Sequence, residues 1–167
     1  MRSFIALGAA LVLCGAAGAA LAQNKPAAPK PAAGDEADCI IYEIEASNAA
    51  PSVDKALTPL AKKLKKVPFS SWKTFKLLKK HDKRVKKMTA LRQNLVTGSK
   101  LTLLYRDKST GTSNKTRLRL KFTLDDKNDK RKLDSTINVD SGDHSLIGGD
   151  DLKGGATYIL GVSCKAL

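Results

Sequence analysis

The stretch FKLLKKHDKRVKKM, residues 75–88, places seven Lys or Arg among fourteen residues, with Phe75, Leu77, Leu78, Val85 and Met88 threaded between them. Its reading decides the fold. On a helical wheel those five apolar residues share one side. Lys73, Lys76, Lys79, Lys80, Lys83, Arg84, Lys86 and Lys87 share the other, which is the separation a basic amphipathic helix requires. Read as a strand, the same residues set Phe75 and Leu77 against Lys76 and Leu78, a poorer partition. Periodicity alone favours a second, basic helix over 72–88.

The flanking sequence pulls towards β structure. Upstream, CIIYEIEAS (39–47) alternates Ile40, Tyr42, Ile44 and Ala46 against Ile41, Glu43 and Glu45, which predicts a strand. Asp54 can then cap a short helix near 54–66 with Leu57, Leu60, Leu64 and Val67 as its apolar stripe. Pro59 lies near the first turn of that helix, and Pro68 ends it. Lys62, Lys63, Lys65 and Lys66 fall outside the stripe. Downstream, Leu101, Leu103 and Tyr105 alternate, and RDKSTGTSN has turn chemistry. KTRLRLKFTL (115–124) sets Leu118, Leu120, Phe122 and Leu124 against Lys115, Arg117, Arg119 and Lys121. Leu133, Ser135, Ile137 and Val139 follow the turn DDKNDK, and Tyr158, Leu160, Val162 and Cys164 fall in phase near the end. Consecutive short strands joined by polar turns predict a mainly β, β-rich α+β domain: an antiparallel sheet or sandwich with one short helix.

The order PFSSWKTFKLL, GSKLTLLY, a basic-apolar strand and LIGGDDLKGGATYILGVS resembles a group of uncharacterised exported bacterial domains, over roughly residues 40–164. In that group the segment after P-F-S resembles strands leading into hairpins, so the resemblance implies strand at 72–80. It implies no activity and no site residues.

The termini bound where the protein works. Arg2, an apolar run from Phe4 to Val12 and the A-x-A site Ala20-Leu21-Ala22 predict a secretory signal peptide over 1–22, cleaved after Ala22. Its apolar run is short and rich in Ala and Gly, which disfavours a membrane anchor. Leu13 before Cys14 disfavours a lipoprotein site. Residues 23–38 are Pro/Ala-rich with almost no apolar bulk and are expected to form a flexible tether. One domain, 39–167, is left. Its two cysteines, Cys39 and Cys164, are expected to pair in an oxidising compartment, periplasmic or fully outside the cell, although Cys39 is out of phase with Ile40 and Tyr42. Neither lies in a C-x-x-C, so redox exchange and haem attachment have no support.

The net charge of +14 is uneven. Residues 55–131 hold 24 basic and 5 acidic residues, whereas 23–54 and 132–167 are net acidic at −4 and −2. One basic face meeting an anionic partner is expected. Its candidates are Lys62, Lys63, Lys65, Lys66, Lys73, Lys76, Lys79, Lys80, Lys83, Arg84, Lys86, Lys87, Lys115, Arg117, Arg119 and Lys121. On a strand at 115–121 the charges recur at roughly 6.8 Å, a spacing suited to phosphates or acidic glycan. The competing reading is a solvated sheet face that also deters edge pairing. Aromatics are scarce in the basic region, which disfavours sequence-specific nucleic-acid recognition.

Enzyme chemistry is thinly represented. His81 beside Asp82 and His144 beside Asp143 read as surface histidines. A hydrolase or metal centre would need them to converge with a nucleophile or a third ligand. DDKNDK lacks the Gly and terminal Glu of a calcium loop and reads as a hairpin turn. The glycine pairs 148–149 and 154–155 suit bends between strands. No cofactor is implied. The sequence therefore supports a non-catalytic exported domain that binds anionic envelope or extracellular polymers, with peripheral contact to anionic membrane as a variant. A structural component that meets an acidic protein surface is the alternative. If Lys76, Lys79, Lys80, Arg117, Arg119 and Lys121 form one face, binding should show little sequence preference.

Overall fold

The computed structural model describes residues 35–111 and 114–167. The signal peptide predicted over 1–22 and residues 23–34 of the predicted tether lie outside them.

The central strand β1, Glu36–Ser47, explains the rest of the architecture. It begins at Glu36 rather than Cys39, because Asp38 and Glu36 take ladder positions opposite Arg84 and Lys86. It carries Ile on both alternation phases, so both of its faces need cover. Ile41, with Ala37 and Cys39, enters one apolar cluster, while Tyr42, Ile44 and Ala46 enter another. Such a strand is stable only in the middle of a sheet covered on both sides.

That sheet runs β2-β3-β1-β9-β8. The strands are β2 (Ser52–Val53), β3 (Thr74–Lys86), β8 (His144–Asp151) and β9 (Thr157–Ala166), around β1. The second sheet is the meander β4 (Ala90–Asn94), β5 (Lys100–Thr110), β6 (Thr116–Asp125) and β7 (Arg131–Asp140), in sequence order. Leu101, Leu103, Tyr105, Leu118, Leu120 and Phe122 of this meander face Ile41, Leu160 and Val162 of the first sheet, forming the inter-sheet core. Antiparallel pairing prevails, with only β2 running parallel to β3. The fold is a two-sheet β-rich α+β sandwich.

A small third layer covers part of the outer face of the first sheet. A 3-10 stretch, Lys55–Leu60, runs into one α-helical turn, Ala61–Leu64. Asp54 caps it, accepting from the Ala56 N–H at 2.9 Å. Leu57, Leu60 and Leu64 are fully buried over Tyr42, Ile44, Phe75 and Ile159. Each such burial contributes about 2 kcal/mol. Gly161 leaves room for the side chains on this face: a Cβ there would meet Leu146 of the neighbouring strand at 3.2 Å and Tyr42 at 3.4 Å. Val67 does not join the stripe. The helical turn stops at Leu64, and Val67 is 87 % exposed.

The basic helix that periodicity alone favours over 72–88 is not formed, and strand, the alternative at 72–80, is found. Residues 74–86 are strand β3, and the reason is a β-bulge. Leu77 stands opposite Ile44 and Lys79 opposite Glu43, leaving Leu78 as the extra residue. Phe75 and Leu77 therefore share the helix-covered face with Ile44, while His81 and Val85 share the inter-sheet face with Ile41 and Ala37. One inserted residue shifts the alternation by one position. The resulting apolar spacing mimics a helical stripe.

Other elements differ from expectation. β5 continues to Thr110, through half of the stretch expected as a turn. β4 and β8 are short strands that alternation did not expose. Gly148 and Gly149 lie inside β8 at a ladder irregularity. There a Cβ on Gly149 would sit 2.8 Å from the Tyr158 carbonyl oxygen.

Candidate anion-binding surfaces

The cations of β6 occupy the outer face of the second sheet, because Leu118, Leu120 and Phe122 turn inward. Neighbouring strands meet each of them with a carboxylate. Arg117 Nε donates to Asp140 at 2.9 Å, Lys121 lies 3.1 Å from Asp134, and Arg119 lies 3.9 Å from Asp107. Arg131 extends the lattice by bridging Asp125 and Asp134. The cationic row expected from the 115–121 segment is therefore a balanced, partly exposed checkerboard, since aspartates from neighbouring strands become its lateral partners.

The second half of β3 is largely balanced as well, Lys83 excepted. Arg84 Nε donates to Asp38 at 2.8 Å, and Lys86 and Lys87 reach Glu36 and Asp35 at 4.0 and 3.8 Å. Lys80 pairs with Asp82 at 3.1 Å. The guanidinium of Arg84 holds the Asp38 carboxyl below the usual carboxylate range. The acidic start of β1 thus neutralises the end of β3 by antiparallel register.

Eight of the sixteen candidates make no ion pair among the described residues: Lys62, Lys65, Lys66, Lys73, Lys76, Lys79, Lys83 and Lys115. Lys115, just before β6, stands apart from the other seven. Between Asp54 and Asp82 the chain has nine lysines and no acid, and only Lys63 and Lys80 of these nine find carboxylates, Asp143 and Asp82. Lys76 has Glu45 as its ladder neighbour without an ion pair. Lys79 and Lys83 lie on the inter-sheet side of β3, opposite Glu43 and Cys39, yet are exposed because β3 has only the two-residue β2 on its outer flank. Inward-pointing lysines on such a flank deter sheet extension. Lys65 and Lys73 line a cavity of about 410 Å³ with Pro51, Val53, Leu64, Trp72 and Phe75.

The sixteen residues consequently do not form one face. Arg117, Arg119 and Lys121 project from the second sheet, whereas Lys80 projects from the opposite side of the sandwich, on the face that carries Tyr42. The unneutralised charge concentrates on the helical segment and the first half of β3.

No protein-family model, curated sequence or solved structure matches this chain.

The two histidines lie on opposite faces of the first sheet. His81 is not a surface residue. It is 9 % exposed, and its Nε2 lies 2.7 Å from Glu43 Oε1. Glu43, fully buried, also accepts from Tyr158 Oη at 2.8 Å and from the Val96 N–H at 2.6 Å. Burial, then the Glu43 carboxylate, push the Tyr158 phenol far above its ordinary range. His144 opens β8 on the outer face, its ring 6.1 Å from that of Tyr42. Burial lowers its pKa, Lys63 adds to that, and Asp143 opposes both. The same Lys63 donates to Asp143 and to the His144 carbonyl. His144, Tyr42, Ile40 and Arg84 line an open cleft of about 650 Å³ beside Pro59.

The DDKNDK segment is the expected hairpin turn. The Asp126 carboxylate accepts from the Asn128 and Lys130 N–H groups at 2.8 and 2.9 Å. Those two bonds, Lys130 first, hold its pKa below the usual range.

Proposed function

We propose that this protein is a non-catalytic binding domain that acts outside the cytoplasm. In this reading it holds an extended anionic partner against the lysines of residues 62–73. The observation that carries the reading is the segregation of charge: Lys62, Lys65, Lys66 and Lys73 make no ion pair among the described residues, while Arg84, Lys86 and Lys87 after them and Arg117, Arg119 and Lys121 on β6 are paired with carboxylates. Ammonium groups held without counter-ions attract phosphate, sulfate or carboxylate arrays and release bound counterions on contact. Lysines act as point charges rather than planar forks, which suits binding without sequence preference. Export is supported by the signal-like residues 1–22 and by the Cys39–Cys164 bridge, which fits an oxidising compartment.

The test is retention of the oxidised protein on immobilised polyphosphate across a salt series. Engaging four phosphates gives a log–log slope near −3.6 by the duplex-DNA rule of about −0.9 per phosphate. Reversing Lys65, Lys66 and Lys73 to Glu is expected to flatten that slope and release the protein at low salt. Retention that is indifferent to salt, or unchanged in the triple variant, removes the proposal.

A further inference from the structure

Residues 62–73, KKLKKVPFSSWK, combine the free lysines with apolar side chains that the fold leaves outside its core. Val67 is 87 % exposed, the most exposed of the large apolar residues among those described. It directly follows Lys65 and Lys66 and precedes Pro68, also exposed. Phe69 and Trp72 are only half-buried, their rings 6.4 Å apart, and Val53, 41 % exposed, lines the groove beside Trp72. Leu64 and Phe75 close the floor of that groove from the core side. The segment therefore forms an apolar tip with Lys65 and Lys73 in the lining of its groove, exposed Lys62 and Lys66 beside it in the chain, and no acid.

We infer that this tip docks on an anionic lipid surface, an inference that rests on the lysine-face reading above and names its partner. A soluble polyanion would satisfy the lysines but would leave Val67 and the exposed part of Trp72 in water. A phospholipid layer offers both chemistries at the right depths: phosphate at the surface and a less polar layer just beneath. Lysines reach the headgroups with their stems laid along apolar surface, and Trp prefers the interface itself. The attachment is shallow and reversible, since the apolar insert amounts to a few side chains and the electrostatic attraction weakens with salt.

Trp72 is the only tryptophan in the chain, so its fluorescence reports on this tip alone. The experiment adds phosphatidylcholine vesicles, with and without phosphatidylglycerol, to the oxidised protein. The same vesicles carrying brominated acyl chains serve as quenchers, and immobilised polyphosphate is run in parallel. The expected result is binding to the anionic vesicles only, with a blue shift of Trp72 and quenching by the brominated lipid. Val67→Gln changes an exposed side chain without adding charge, so folding is not at stake. It is expected to weaken vesicle binding roughly tenfold, the lower end of the value of burying one valine, and to leave polyphosphate retention unchanged. Lys65→Glu with Lys66→Glu is expected to weaken both. Polyphosphate retention without vesicle binding, or vesicle binding without Trp72 quenching or a Val67→Gln effect, overturns the lipid inference and leaves the lysine-face reading standing. Retention on neither overturns both.

Discussion

At the scale of single residues, Glu43 has the most demanding environment. It is the only fully buried carboxylate among the described residues, and it joins three strands to the turn at Val96 through His81, Tyr158 and the Val96 N–H. A buried polar group is tolerated when every partner is present, and breaking such a set exposes the full desolvation cost of what remains. Glu43→Ala is expected to cost about 3 kcal/mol or more in urea unfolding, whereas Tyr158→Phe removes one hydrogen bond and costs about 1–2 kcal/mol. The double variant is expected to be more stable than the sum of the two, because the Tyr158 hydroxyl no longer loses an acceptor. Strict additivity would show that the two groups act independently. Nothing in a period-two reading of CIIYEIEAS separates Glu43 from a solvent-facing acid. The available signal was isoleucine on both phases, which marks a central strand where an acid must find buried partners.

At the scale of elements, β3 and β6 show what alternation conveys and where it stops. β6 is regular over its length, so its inward leucines and outward cations were legible directly. β3 was not, because the bulge at Leu78 changes which face each later residue takes, and that shift depends on β1 rather than on β3 itself. Cation rows carry a similar limit: a strand shows its own charges but not those of its neighbours. Asp107, Asp134 and Asp140 come from the preceding and following strands and convert the β6 row from a ligand surface into a lattice. Reversing Arg117 and Arg119 to Glu sets carboxylates beside Asp140 and Asp107. The expected outcome is a loss of about 1 kcal/mol in stability, reduced because these side chains are partly exposed and screened. The drop in polyphosphate retention is expected to be smaller than for reversal of Lys65, Lys66 and Lys73. Thermal melts and the salt series measure the two effects separately, and a larger loss of retention from β6 would return the binding face to the second sheet.

At the scale of the whole molecule, Cys39 and Cys164 are direct ladder partners on the two adjacent central strands, with Cα atoms 4.1 Å apart. The phase mismatch that argued against the pair disappears because the inter-sheet core takes Cys39 with Ile41 on β1 and Cys164 with Leu160 and Val162 on β9. The outer face takes Ile40 and Tyr42. Closing a loop of 125 residues removes chain entropy equivalent to about 5 kcal/mol, an upper figure. Guanidinium unfolding with and without reductant is expected to differ by several kcal/mol, and coincident midpoints would show that the bridge adds nothing to the sandwich. The pairing and the β-rich class were legible from cysteine number and strand alternation. The segregation of the charge was legible only as a total, because neutralisation is decided across the sheet.

The bridge also fixes how the protein bears load. Tension applied between a point before Cys39 and a point after Cys164 passes through one covalent cross-link between neighbouring strands. The 124 residues enclosed by that link, including the lysine tip and both sheets, are bypassed by the force path. A partner that pulls one end against the other stretches only the segments outside the bridge, whereas a pull between one end and the attached tip loads the strands in between. The oxidised domain is in this sense a mechanical shackle, and reduction would turn it back into an extensible chain.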